Sequence, residues 1–434
     1  MKKHNFLYSL TLLLVFVFSS CKKEYGNLNS PTIEEYLNNA SQSQLSALVT
    51  GTLAGMRINE GAYLDVVGVL GREMYRFSSA DPRFVTELLG SENTQLNNTG
   101  FYITNPWASR YRVVKNCNVL IQAATNSQQI SPALKNGFIG FAKTIKAYEL
   151  LLNLNLTYTN GVRIDVADAG NLGPIVPYDQ AIEAIADLLN EGRTDLSTAE
   201  IGFQLTTGFE GFDDAAGLIR FNRALAARVA IYREDWPGAL TALNESFFNL
   251  AGDLNTGVYH VFSTGSGDIL NPAFFDQNAN GEVRLAHPSY TTQIAPGDDR
   301  ISKATIRTDV ASTSGLSSDR DVWVYRSSTA PIPIVRNEEL ILIYAEAKAR
   351  SNAFPDAIVA INAIRDEHNL TPYGGAVNEG ALINEILYHR RYSLFYEGHR
   401  WIDMRRYNRL ATLPIDRPGD DVWSAMPIPL TEMQ

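Results

Sequence analysis

The stretch "RNEELILIYAEAKAR" (336–350), followed after a three-residue gap by "FPDAIVAI" (354–361), decides the fold. In the first segment Leu340, Ile343, Tyr344 and Ala347 recur at helical spacing; Phe354, Ala357, Ile358, Ile361 and Ile364 form the second stripe. Two amphipathic helices joined this tightly pack antiparallel. Small residues on the facing stripes let the backbones approach, and an aromatic side chain closes the turn, which is the plan of a tetratricopeptide hairpin.

"YDQAIEAI" (178–185) and "WPGALTAL" (236–243) repeat the second half of the pattern: an aromatic, two variable residues, Ala, Ile or Leu, one variable residue, Ala, Ile or Leu. Each follows a candidate partner helix, "FIGFAKTIKAYELLLNLNL" (138–156) and "RFNRALAARVAIY" (220–232). The matched alanines, Ala181, Ala239 and Ala357, lie much farther apart than the roughly 34-residue period of a regular array. Insertions therefore interrupt the hairpins, above all at about 246–335, a stretch rich in Gly, Asn, Asp, Ser and aromatics with strand-like runs such as "DVWVYRSS". The expected fold is all-α, with tetratricopeptide-like hairpins, loop-rich insertions and minor β structure. Upstream, residues 34–56 show helical spacing, and "NPWASRYRVVKNCNVLIQAA" reads as a helix with Asn105 as N-cap and Pro106 in its first turn.

The N-terminus bears on where the protein works. Lys2, Lys3 and His4 precede an apolar run from Phe6 to Phe18, too short for a mature membrane span, and the small residues of "SSC" follow. Residues 1–20 read as a lipoprotein signal, Cys21 as the lipidated N-terminus and residues 21–35 as a tether, leaving 36–434 for the helical-repeat domain. Removing Lys2 and Lys3 takes the net charge from −10 to −12, which disfavours phosphate backbones and excludes a nucleic-acid partner. Cys117 has no disulfide partner and reads as a small buried hydrophobe.

Near the other end, "FYEGHRWIDMRRY" (395–407) gathers carboxylates, a histidine, arginines and aromatic rings. On a continuous helix Arg390, Leu394, Glu397 and Trp401 would share a face, and Glu397, Arg400 and Asp403 would form a ladder of i,i+3 pairs. Gly398 inside a helix implies a backbone passing close by. The segment is expected to clamp the last helix rather than to catalyse, because Glu397 and His399, two positions apart, point to different faces. No catalytic residues are assigned. "DQNANGEV" (276–283) resembles the start of a calcium loop at Asp276, but position 12 is His287 rather than a bidentate glutamate, so a hairpin turn is expected there. The paired acids at 213–214, 298–299 and 420–421 read as solvated loops. No metal site and no cofactor motif is found.

Taken together, the signal, the repeats and the C-terminal block resemble the SusD/RagB family of Bacteroidota. Tyr344, Ala345, Glu346 and Ala347 match its Tyr-Ala-Glu-Ala helix. Arg390, Arg391, Glu397, Gly398, Arg400, Trp401, Asp403 and Arg406 match its C-terminal signature, and "MPIPLTEMQ" is similar to its terminal Pro-Ile-Pro segment. His389 stands where that signature often has Glu. The resemblance implies an outer-membrane lipoprotein, facing the cell exterior, that binds an oligosaccharide without chemistry and delivers it to a partner SusC-like TonB-dependent transporter. It also implies a structural role for residues 298–300. A peptide-capturing protein of the same fold and a helical-repeat adaptor without a small-molecule site are the rival readings; a glycoside hydrolase would need two carboxylates across a cleft.

Sugar rings stack on aromatic faces while polar side chains bond the hydroxyls. By the resemblance, the pocket comes from loops of the N-terminal third and from the large insertion. The ligand-binding candidates there are Tyr75, Phe77, Asp81, Arg83, Asn98, Phe101, Tyr102, Tyr290 and Trp323. Trp107, Trp236, Trp401 and Trp423 read as core.

Overall fold

The computed structural model describes residues 33–168 and 170–433. The expected signal, Cys21 and the tether as far as residue 32 lie outside the described residues. Helices α1 (Ile33–Asn39), which takes up the last three tether positions, α2 (Gln42–Met56) and α3 (Glu60–Leu70) lead into strand β1 (Met74–Ser78). Then come α4 (Phe101–Asn126), α5 (Pro132–Thr157), β2 (Val162–Arg163), β3 (Ile175–Val176), α6 (Tyr178–Leu196), α7 (Ala215–Tyr232) and α8 (Trp236–Asn244). The large insertion carries β4 (Gly257–His260), β5 (Glu282–Ala286), α9 (Pro288–Gln293), β6 (Ala304–Thr313), β7 (Leu316–Val322) and β8 (Ile332–Arg336). Helices α10 (Asn337–Arg350), α11 (Phe354–Glu367), α12 (Glu379–Ser393) and α13 (Arg400–Arg406) follow. No described helix is long and apolar enough to cross a membrane.

The three repeats fold as the hairpins α5–α6, α7–α8 and α10–α11, and each hairpin also packs on the next. Ala181, Ala239 and Ala357 are fully buried at the contacts. In the first hairpin the approach is closer still: a Cβ on Gly140 would lie 2.9 Å from the Gly192 carbonyl oxygen, so only glycine fits. Side-chain caps fix the starts. Ser131 accepts from the Leu134 N–H, Asp214 from Gly217 and Asp235 from Gly238, each satisfying an otherwise orphaned donor.

Two helix boundaries differ from expectation. α4 begins at Phe101, capped by Gly100, and Pro106 lies inside it, so Phe101 to Asn105 are helical rather than loop. The block 395–407 is not one helix. α12 ends at Ser393, Tyr396 (φ 59°) and Gly398 (φ 86°) take the left-handed conformation, and α13 starts at Arg400. The ladder therefore does not form. Glu397 pairs with Arg336 at 2.9 Å, while Asp403 pairs with Arg390 at 2.6 Å and with Arg406 at 3.1 Å. Gly398 is required by its positive φ, and the neighbour it faces is the ring of Tyr63, 3.2 Å from where a Cβ would sit, not another backbone.

The insertion builds more sheet than short runs suggest. An antiparallel four-stranded sheet runs in the order β1-β5-β7-β6, and β4 pairs with β8. The 276–283 segment is a turn leading into β5, not a hairpin: its strand pairs with β1, with Tyr75 opposite Leu285. Among the described residues no group of three or more His, Cys, Asp or Glu side chains is placed to hold a metal.

Candidate functional site

The C-terminal clamp helps to position the loops of the insertion. The last carbonyls of α12 have no helical partners, and the insertion supplies them: Lys303 donates to the Tyr392 and Ser393 oxygens, and Arg336 also donates to Ser393. Arg228 and Glu339 make a buried bidentate pair with both bonds at 2.6 Å. Burial pushes the Glu339 carboxyl up, but the opposing pull of Arg228 and His399 prevails and leaves it at about 2. Asp298 is buried rather than solvated, and it receives Arg300 at 2.6 Å and the Tyr388 hydroxyl at 2.7 Å. Asp420 likewise pairs with Arg417 at 2.9 Å, whereas Asp214 is a helix cap.

The β1–β5 pairing brings the N-terminal loops against the insertion. Asp65 on α3 ties the layers together, accepting from Arg284 at 2.6 Å and from the Tyr396 hydroxyl at 2.7 Å. Arg76, the neighbour of Tyr75 on β1, sits 3.4 Å from Asp65, bonds Glu282 and lies over the rings of Phe275 (4.8 Å) and Phe84 (5.2 Å).

The nine candidate ligand residues divide into two groups. Tyr75, Phe77, Tyr102 and Tyr290 are buried and offer no ring face to a ligand. Tyr75 and Phe77 share the inward side of β1, their ring centroids 5.7 Å apart, with His287 5.0 Å from Tyr75. The Tyr102 hydroxyl donates to Glu87 and accepts from the Asn97 N–H. Tyr290 donates to the Arg300 carbonyl and packs on Tyr392 and Phe395. These four are core residues: Tyr75 and Phe77 are buried on the paired strand β1, Tyr102 is buried against the 87–97 loop, and Tyr290 is buried against Tyr392 and Phe395.

Asp81, Arg83, Asn98, Phe101 and Trp323 keep part of their surface exposed. Arg83 pairs with Asp81 at 2.5 Å and lies 4.5 Å over the ring of Phe101, which meets Phe84 edge-on at 5.1 Å. Asn98 adjoins the C-terminal segment through its carbonyl, which accepts from the Leu430 N–H. Trp323 stands against Phe274 at 6.0 Å. Phe274 and Phe275 are both part-exposed, and the two patches are linked beneath the surface: Phe275 lies against Arg76, which also lies over buried Phe84, the neighbour of Phe101. Sequence reasoning missed Phe274 and Phe275. The signal was present, since "AFFDQNANG" sets two adjacent rings before a polar turn.

A cleft of about 990 Å³ lies away from this face, between α4, α5, α6 and the 163–172 loop, lined by Tyr111, Lys115, Lys146, Arg163, Leu172 and Glu432 among others. It shares none of the nine candidates, and no motif in the sequence points to it.

Residues 290–424 match the model of the SusD family. No curated protein matches. Among solved structures, a SusD-superfamily protein from Bacteroides vulgatus superposes with a TM-score of 0.68 at 16% identity, covering 91% of this chain and 97% of that one. A SusD-like carbohydrate-binding protein from the same species gives 0.65 at 16% identity over 85% and 84%. Surface glycan-binding protein A from Bacteroides uniformis gives 0.61 at 14% identity over 86% and 90%. The last third of the chain thus matches the SusD family model, and the fold over most of its length is that of the SusD-superfamily structures.

Proposed function

We propose that this protein captures an oligosaccharide on its loop face without chemistry, held to the outer membrane through lipid on Cys21 and facing the cell exterior, and passes it to a SusC-like TonB-dependent transporter. The observation that carries the reading is the set of part-exposed rings, Trp323, Phe274, Phe275 and Phe101, on segments beside a sheet that a buried ion-pair network braces. Rings offer stacking faces for sugar C–H groups, and Arg83, Asp81 and Asn98 are part-exposed to meet hydroxyls. Two structural relatives are described as carbohydrate- or glycan-binding, which supports the same ligand class here. Peptide capture on the same face is the alternative; the absence of binding to oligosaccharides alongside binding of peptides would favour it.

Two experiments test the proposal. Purified protein incubated with oligosaccharides that it binds should return them intact; reproducible cleavage abolished by replacing one Asp or Glu would place the protein among hydrolases. The Cys21→Ala protein should lose lipid labelling and leave the membrane fraction. Unchanged partitioning into detergent would overturn the anchor.

A further inference from the structure

A buried arginine normally has its carboxylate. Arg110, Arg228, Arg284, Arg300, Arg336 and Arg390 all do. Among the described residues two buried arginines do not, Arg223 and Arg405. Arg405 is covered by the rings of Tyr158 (4.1 Å) and Trp401 (4.6 Å) and donates to backbone carbonyls. Arg223 has no such cover. It is 6% exposed, yet it lines a cleft of about 410 Å³ between α6, α7 and α8, a volume suited to a small molecule.

Its guanidinium is held rigidly. Nε and Nη2 donate to the Asn222 side-chain oxygen at 2.8 and 2.7 Å, and Nη1 donates to that of Asn190 at 2.9 Å. Asn222 is itself fixed, donating to Thr144 at 2.8 Å and to the Leu189 carbonyl at 3.1 Å. Three of the five N–H donors are thereby used, and two remain. Burial draws the Arg223 pKa down to about 10, with Glu245 opposing, as expected of a cation lacking a partner. The other charges at the cleft are committed: Arg193 to Glu245 at 2.7 Å and Arg233 to Glu183 at 2.5 Å. Neutral amide oxygens alone hold the guanidinium, so a positive charge waits in the cleft without its counter-ion.

We propose that the cleft between α6, α7 and α8 is a subsite for a small monocarboxylate, with Arg223 receiving the carboxylate through its two free donors. A planar, singly charged group fits a guanidinium edge in bidentate fashion. A dianion is disfavoured, because Glu245 and Asp235 also line the cleft. The carboxylate could be presented by a sugar acid or by an amino acid. This site is separate from the loop face and independent of it.

The test uses the whole protein, titrated with glucuronate and N-acetylglycine and with the neutral glucose and N-acetylglycinamide, followed by calorimetry and NMR. At least one acid should bind at one site per chain, and its neutral analogue at least tenfold more weakly; which acid binds assigns the source. Arg223→Gln should lose tenfold or more in affinity for the acid. Thr194→Glu, which places a carboxylate in the same cleft from an exposed position on α6, should do likewise with Arg223 intact, and it decides the matter if Arg223→Gln does not fold. Failure of both acids to bind at tens of millimolar, equal binding of the neutral analogues, or unchanged affinity in a folded variant would overturn the proposal.

Discussion

The clamp around residues 393–407 and the loop face around β1 and β5 use the same residue types, arginine and aromatic rings, to opposite ends. In the clamp most of the charges are matched and enclosed: Arg336 with Glu338 and Glu397, Arg390 with Asp403, Arg406 with Glu346. Tyr392, Phe395, Tyr396 and Trp401 are fully buried around them. On the loop face, Arg83 and Asp81 stay partly in water, and Phe101, Phe274, Phe275 and Trp323 keep part of a ring exposed. Composition does not separate a structural network from a binding surface. Enclosure does, because a buried charge needs a partner, a carboxylate for most of the clamp arginines and carbonyls under rings for Arg405, whereas an exposed charge or ring is served by solvent or a ligand.

Breaking the clamp should have the largest effect on stability. Asp403→Ala leaves Arg390 as an unpaired buried cation, and should cost about 3–5 kcal/mol or prevent folding. Urea unfolding, or expression yield where no folded protein remains, reads this; a variant within 1 kcal/mol of the wild type would mean that the network is not what holds the C-terminal helices.

Gly398→Ala should cost about 1–2 kcal/mol, the strain of a left-handed conformation for a residue with a Cβ. Any folded fraction should keep its ligand affinity. Lost affinity at unchanged stability would move the binding site to this turn.

A pH effect sharpens the same contrast. Glu73, the residue just before β1, is buried, and desolvation raises its pKa to about 8 against the weaker pull of Arg400. A carboxyl raised in the folded state favours folding while protonated. Its contribution is intact below about pH 4.5 and is lost as pH rises through about 8. Glu73→Gln should therefore gain on the wild type across that window, by at most about 1.4 kcal/mol per pH unit. Glu339 runs the opposite way: its pKa is depressed to about 2, so its contribution holds above about pH 4.5 and is lost on acidification. Parallel melting curves for wild type and Glu73→Gln between pH 4.5 and 8 would contradict this assignment.

The hairpins were legible in the sequence because their signal is local. The stripe of Leu340, Ile343 and Ala347 and its partner Ala357, Ile361 and Ile364 lie within one short stretch. The loop face was legible only in part, because its geometry depends on β1 meeting β5 more than 200 residues away. That pairing turns Tyr75 and Phe77 inward, and no periodicity in residues 71–83 announces it. The same holds for Tyr290, which the clamp encloses from α12. The break between α12 and α13 was within reach: a glycine near the end of a helical pattern is as good a stop signal as a close-packing one. Arg223 could not have been singled out, since only the fold shows that no carboxylate meets it.

The central claim is that rings on the loop face bind while the enclosed network holds the fold. Trp323→Ala tests it most directly, because the change should leave stability within about 0.5 kcal/mol. A panel of neutral and acidic oligosaccharides of four to eight sugars should first show binding to the wild-type protein. Titration of Trp323→Ala with the tightest of them should then show a loss of about 1–3 kcal/mol, by analogy with base stacking on aromatic platforms. That is roughly a five- to hundred-fold rise in Kd. Wild-type affinity in a folded Trp323→Ala protein, or no binding to any member of the panel by the wild type, would contradict the account.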